Sequence, residues 1–300
     1  MSPALKVIGH RSASTTGHSP GGGHQVRYKI LGPLRLVHGE EQLHISARKI
    51  EILLAALLIR AERLVTVTEL FTEIWGEDLP RQATAALYVY VSQLRKLLRQ
   101  PAGAASTIVT RSPGYLLHLG SDEIDLHLFQ TRVQHARTFA ATGRHAEAAA
   151  AFDSALDLWE GPAFGDLREG PIVSGFATWL EEARLEATEA MIESNLAIGR
   201  HRQVVGRLFD LTARYPLREA FYRQLMIALY RSERQADALR VYHLARASLN
   251  DELGLEPCRP LQDLQRAMLA GDRQLDRHLD LAQELSGSGS GPGRVGLPGH

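Results

Sequence analysis

Between Arg81 and Arg111 the chain carries no aspartate or glutamate. Within that stretch, RQATAALYVYVSQLRKLLR (residues 81–99) places Leu87, Val91, Leu94 and Leu98 at steps of four, three and four. That spacing puts them on one face of a helix. The remaining faces carry Thr84, Tyr88, Val89, Ser92, Gln93, Arg95, Lys96 and Arg99. A helix packed on one side and cationic without acids on the other suits phosphates and base edges. Taken alone, the same pattern also describes a solvated amphipathic helix, so its neighbours decide between the two.

The chain is long enough for two domains, at 300 residues. Its 34 basic and 34 acidic residues cancel, but unevenly. Residues 24–120 hold 12 basic and 8 acidic side chains, a net of +4, and residues 121–271 hold 17 and 22, a net of −5. A basic front and an acidic back fit a nucleic-acid-contacting module joined to one that meets something else. Cys258 is the only cysteine. It excludes an intrachain disulfide, suits a reducing cytoplasm, and is expected to be a buried, inert thiol. No apolar run is long enough to span a bilayer, and the N-terminus lacks the apolar core of a signal peptide. No membrane partner is expected.

Residues 1–23, with SASTTGHSPGGG, are too polar and glycine-rich to order themselves. His10, His18 and His24 lie in or beside them with nothing to fix a metal-binding geometry. RYKILGPLRLV and then EEQLHIS predict short antiparallel strands around a Gly-Pro turn. Ser46 is the expected N-cap of a helix over ARKIEILLAALLIRAER, with Ile50, Leu53, Leu54, Leu57 and Leu58 as its buried stripe. After an extended link at Val65, Thr66 and Glu69 form a capping box that starts a second helix through Trp75, stopped by Gly76. GEDLPRQ is a loop leading to the helix over 81–99, which Pro101 and Gly103 end. TIVTRSPGYLLHL then reads as a hairpin with Arg111 at its tip and Tyr115 packing inward.

Strands, three helices with the third cationic, and a hairpin form the order of a winged helix-turn-helix. TVTELFTEIWG, YVSQLRKLL and VTRSPGYLL resemble the OmpR/PhoB-type winged helix with strands preceding the helices.

Residues 121–271 are Ala/Leu-rich and helical in pattern. GRHRQV at 199–204 aligns with ERQADA at 233–238 at an offset of 34, the tetratricopeptide period, and GRHAEA at 143–148 is a third copy. The offset of 56 between the first two copies leaves room for about one further helical segment around WEGPAFGDLREGP. LDLWEGPAFGDL, YPLREAFYRQLMIALYRSERQADALRVYHLARASLNDELGLEP and PLQDLQRAML resemble the bacterial transcriptional activation domain. A winged helix followed by this domain, over roughly residues 27–271, resembles the SARP family, the Streptomyces antibiotic regulatory proteins.

The expected architecture is therefore mainly α with a small β component: an N-terminal winged helix-turn-helix, then an all-α tetratricopeptide-like repeat domain. The expected boundaries are a 1–23 tail, a 24–120 DNA-binding domain, a 121–271 activation domain, and a helical extension with a flexible tail over 272–300. The resemblance implies a small stand-alone member, without the ATPase, repeat or phosphopeptide-binding domains that larger relatives append.

The resemblance also implies a role. Tyr88, Val89, Ser92 and Gln93 would face base edges and adjoining sugars, with Gln93 suited to a bidentate adenine contact. Arg81, Arg95, Lys96 and Arg99 would meet phosphates, Thr84 would lie on the same face, and Arg111 would reach backbone or minor groove. Ser92 and Gln93 depart from the arginines that many relatives carry there. Tyr88 also fits the rim of the core. Arg48 and Lys49 fit either backbone contacts or solvated first-turn charges. Glu77 and Asp78 in the GEDLPRQ loop are polymerase-contact candidates by analogy, and equally an ordinary acidic turn. Implied partners are double-stranded DNA in tandem direct repeats, bound as adjacent or dimeric copies, and RNA polymerase holoenzyme with its sigma factor. The implied setting is cytoplasmic and nucleoid-associated, at a secondary-metabolite gene cluster.

Two other classes fit the sequence less well. A helical-repeat ligand sensor or scaffold, whose winged helix is not a DNA reader, is disfavoured by the acid-free stretch. An enzyme has no support: no phosphate loop, metal-ligand spacing or nucleophile motif is present, and no cofactor is expected. The paired acids of DLREG and EEARLE read as surface charge on a repeat domain.

Overall fold

The computed structural model describes residues 26–45, 47–98 and 107–271. Ser46, Arg99, Pro101, Gly103, the three N-terminal histidines and residues 272–300 lie outside them. The chain divides into two compact units. One runs to Arg132 and resumes over Ser154–Glu186, and the other takes Val133–Asp153 and everything from Ala187. Among the described residues no helix is long and apolar enough to cross a membrane.

In the first unit β1 (Val26–Lys29), β2 (Arg35–His38) and β3 (Glu41–Leu43) form the antiparallel meander expected of RYKILGPLRLV and EEQLHIS. Then come α1 (Arg48–Ile59), β4 (Leu64–Thr66), α2 (Val67–Trp75), α3 (Ala83–Leu97), β5 (Ile108–Arg111), β6 (Gly114–Leu117) and the two-residue β7 (Glu123–Ile124). β7 pairs in parallel with β1, giving the order β3-β2-β1-β7, and a second sheet runs β4-β6-β5. α1 is buried almost all round, because Ile52, Ala55 and Ala56 join the predicted stripe. It is shorter than expected. Ala47 holds its N-cap position without a side-chain bond, and the chain turns out at Arg60 to reach β4. α3 likewise starts two residues later and ends two earlier than the 81–99 pattern.

The helices after β7 are α4 (Asp125–Ala141), α5 (His145–Leu156), α6 (Pro171–Ala197), α7 (His201–Arg214), α8 (Glu219–Arg231), α9 (Gln235–Leu253) and α10 (Arg259–Ala270). Asp122 and Asp125 tie their start to the first sheet. Asp122 accepts from the Val26 N–H at 2.9 Å and from the Tyr28 hydroxyl at 3.3 Å, and Asp125 from the Ile30 and Leu31 N–H groups. The stretch 159–170, expected to be part of an extra helical segment, is a loop. Its Glu160 binds Lys29 at 2.6 Å and also Arg35, while its backbone bonds the carbonyls of Ile30 and Leu31.

The second unit repeats one joint three times. Gly143, Gly199 and Glu233 all hold left-handed backbone, at φ 74°, 80° and 64°. Each closes the preceding helix with the same two bonds. Gly143 bonds Ala140 and Arg144 bonds Phe139; Gly199 bonds Leu196 and Arg200 bonds Asn195; Glu233 bonds Tyr230 and Arg234 bonds Leu229. This is the Schellman motif, and α5, α7 and α9 each begin two residues later. The sequence copies at 143, 199 and 233 are therefore the same turn in three dimensions. α8 is the most enclosed helix of this unit, with Phe221, Tyr222, Leu225, Met226 and Leu229 buried. Arg218 at its N-cap and Arg223 within it pair with Glu189 and Glu193 of α6. Cys258 is a correction: it is exposed, because it occupies the N-cap position of α10 at the surface, where its N–H donates to Glu219.

Candidate nucleic-acid interface

The candidate surface is built on α2, α3 and the β5-β6 hairpin. α2 starts with both halves of its capping box: the Glu69 N–H donates to the Thr66 hydroxyl at 3.2 Å, and the Glu69 carboxylate accepts from the Thr66 N–H at 2.8 Å. The Thr66 N–H first, and the Thr66 hydroxyl donating to the same carboxylate at 2.7 Å second, hold the Glu69 carboxyl below the usual range. Trp75 ends α2 and stacks on Tyr90 of α3, with ring centres 5.9 Å apart and 23° between planes. Lys49 sits 5.4 Å over the Trp75 ring.

α3 buries Ala83, Leu87, Val91 and Leu94, and Leu98 follows them into the core. Its outward side presents Thr84, Tyr88, Val89, Ser92 and Lys96, and Arg81 is exposed in the turn just before it. Tyr88 is 60% and Val89 51% exposed, so Tyr88 projects outward rather than padding the core rim. Gln93 is half-buried beside them. Arg111 is exposed where β5 turns into β6, while Tyr115 is buried and packs. Glu77 and Asp78 are exposed in the loop before α3.

Three charged residues have partners that the sequence did not announce. Arg95 donates from Nε to the Ile108 carbonyl at 2.9 Å and from Nη2 to the Thr110 hydroxyl at 2.8 Å, both on β5. Arg48 binds Asp166 at 2.7 Å and Glu169 at 2.9 Å, so neither it nor Lys49 is a simply solvated charge. The paired acids of DLREG are thus engaged, and Glu181 of EEARLE accepts from Arg168 and the Ala163 N–H.

Glu73 of α2 is 1% exposed and accepts from the Ile172 and Val173 N–H groups at 2.7 and 3.0 Å. It caps the start of α6 from outside that helix. Burial raises its carboxyl above the ordinary value, and the two backbone bonds pull the other way. One signal was present in sequence: Glu73 falls beside Leu70 and Ile74, on the apolar face of α2.

The model of the "Bacterial transcriptional activator domain" matches residues 124–269, and that of "Transcriptional regulatory protein, C terminal" matches residues 39–117. The regulatory protein DnrI of Streptomyces peucetius is 34% identical over 84% of this chain and 95% of its own length. The chain belongs to the SARP family of transcriptional regulators. The transcriptional regulator RedD of Streptomyces coelicolor is 35% identical to this SARP chain, over 87% of it and 76% of RedD. AfsR of Streptomyces griseus is 38% identical over 93% of the SARP chain, which spans 28% of the length of AfsR. Among solved structures, Mycobacterium tuberculosis EmbR in complex with a low-affinity phosphopeptide superposes with a TM-score of 0.80 at 32% identity. That match covers 88% of this chain and 69% of EmbR. A SARP architecture, winged helix and then helical activator domain, accounts for the elements from β1 to α10.

Proposed function

We propose that this regulator activates transcription by binding tandem direct repeats at promoters and recruiting RNA polymerase to a secondary-metabolite cluster, acting in the cytoplasm. The observation that carries the DNA reading is the outward side of α3: Tyr88, Val89, Ser92 and Lys96 exposed together, Gln93 beside them, and no acid from Arg81 to Arg111. In this reading α3 enters the major groove. Tyr88, Val89, Ser92 and Gln93 face base edges, with Thr84 alongside. Arg81, Lys96 and Arg99 meet phosphates, and Arg111 meets the neighbouring backbone. Head-to-tail copies at ~10–10.5 bp spacing keep both recognition helices on one side of the duplex. Glu77 and Asp78 offer the polymerase an acidic loop.

The test is fluorescence anisotropy at several salt concentrations, on duplexes with one repeat, two repeats one turn apart, and two at one and a half turns. Cooperative binding only at one-turn spacing, with a steep salt slope, is the expected result. Lys96→Ala should weaken all sequences alike and reduce the slope by about one unit, whereas Gln93→Ala should cost ~1–3 kcal/mol on one sequence only. Binding indifferent to spacing and sequence, or equal losses on cognate and random DNA for both variants, overturns the reading.

A further inference from the structure

The wing is held from two sides. The order β4-β6-β5 leaves β5 at the edge, paired on one side only within that sheet. On the β4 side, the Val67 N–H donates to the Pro113 carbonyl at 3.0 Å, and Gly114 lies so close that a Cβ there would fall on the Val65 carbonyl. On the α3 side, Arg95 reaches β5 with two nitrogens, at Ile108 and Thr110. Thr110 is the residue before Arg111, and Lys96 is the residue after Arg95. The guanidinium fork therefore joins the wing strand to the helix within one residue of a proposed contact on each.

We infer that Arg95 is a positioning residue. It locks β5 to α3 so that Arg111 and the outward side of α3 meet the duplex as one body, and its effect on binding runs through Arg111 rather than through a phosphate of its own. The inference rests on the DNA reading proposed above. A planar fork with two fixed donors holds a strand in one orientation, which a single flexible ammonium does not. A wing fixed beforehand spares the complex the cost of ordering it on binding.

The test is a double-variant cycle on the full chain, read as affinity and salt slope for a duplex with two repeats. Arg111→Ala alone should weaken binding about tenfold and reduce the slope by about one unit. In Arg95→Met, the further change Arg111→Ala should weaken binding less than twofold and leave the slope where Arg95→Met left it. Arg95→Lys keeps the charge but loses the fork, so it should behave like Arg95→Met. Thr110→Val keeps a strand-favouring shape and removes one partner. It should reproduce part of the loss without lowering the melting temperature, which separates the clamp from misfolding. Additive losses, a slope reduced by about two units in the double variant, or full binding by Arg95→Lys would overturn the positioning role while leaving the DNA reading intact. Absence of salt-sensitive binding by the wild-type chain would sink both.

Discussion

Glu62 holds left-handed backbone at φ 62°, and its side chain explains why a glutamate sits there. Its carboxylate accepts from the Leu119 N–H and from His118 Nδ1, both at 2.7 Å. The backbone bond first, and the His118 bond second, hold the carboxyl below its ordinary 4.5. A carboxyl lowered in the folded state adds stability above its unfolded value and loses it as pH falls through the folded one. The Glu62 contribution should therefore fade as pH falls below 4.5, so that the urea midpoint of the wild-type chain loses its advantage over that of Glu62→Gln in that range; a difference between the two that does not change with pH contradicts it. At Gly170 a Cβ would run into the Glu73 carboxylate, which two backbone bonds and burial prevent from moving aside. Gly170→Ala should cost about 1–3 kcal/mol in urea unfolding, since the two N–H groups or the carboxylate must lose partners. At this scale the sequence spoke only for short-range pairs. Thr66 and Glu69 are three apart and were legible as a capping box. Glu73 and Asp125 find their partners about a hundred residues away, and no local pattern encodes that.

At the level of elements, the turns of the helical unit carry a consequence for Glu233. Gly143 and Gly199 adopt the left-handed conformation without steric cost, whereas a Cβ there is disfavoured. Glu233→Gly should raise stability by about 1 kcal/mol, and Gly199→Ala should lower it by a similar amount, with unchanged m-values. Equal midpoints for wild type and both variants would contradict the shared joint. The helices were legible because period and punctuation agree: Leu87, Val91, Leu94 and Leu98 all reach the core as spaced. The 34-residue copy survived in sequence because each turn must solve the same geometry. β7 escaped notice because two residues show no alternation, and Arg95 because its partner strand follows a glycine- and alanine-rich connection.

For the molecule as a whole, the first unit is discontinuous in sequence: it takes residues to Arg132 and again Ser154–Glu186. A chain truncated after Gly120 lacks Asp122, Asp125, Glu160, Asp166, Glu169 and the start of α6. Buried Glu73 then loses the Ile172 and Val173 N–H groups that donate to it, and the Ile30 and Leu31 N–H groups lose Asp125 as acceptor. The exposed ion pairs contribute little each, so the buried carboxylate and uncovered core dominate. A fragment ending at Gly120 should unfold at a lower temperature than one ending at Glu186; equal melting temperatures would contradict the dependence. Composition and motifs revealed two functional parts, but which distant loop covers which strand depends on packing, not on any run of residues. The same discontinuity governs how the protein is born. On the ribosome, the part bearing α3 emerges early and stays unfinished while the chain from Gly120 to Glu186 is made, roughly 3–13 s at about 5–20 residues per second. A nascent chain thus completes the support of α3 only when the activator segment is already under synthesis, so the two halves mature together.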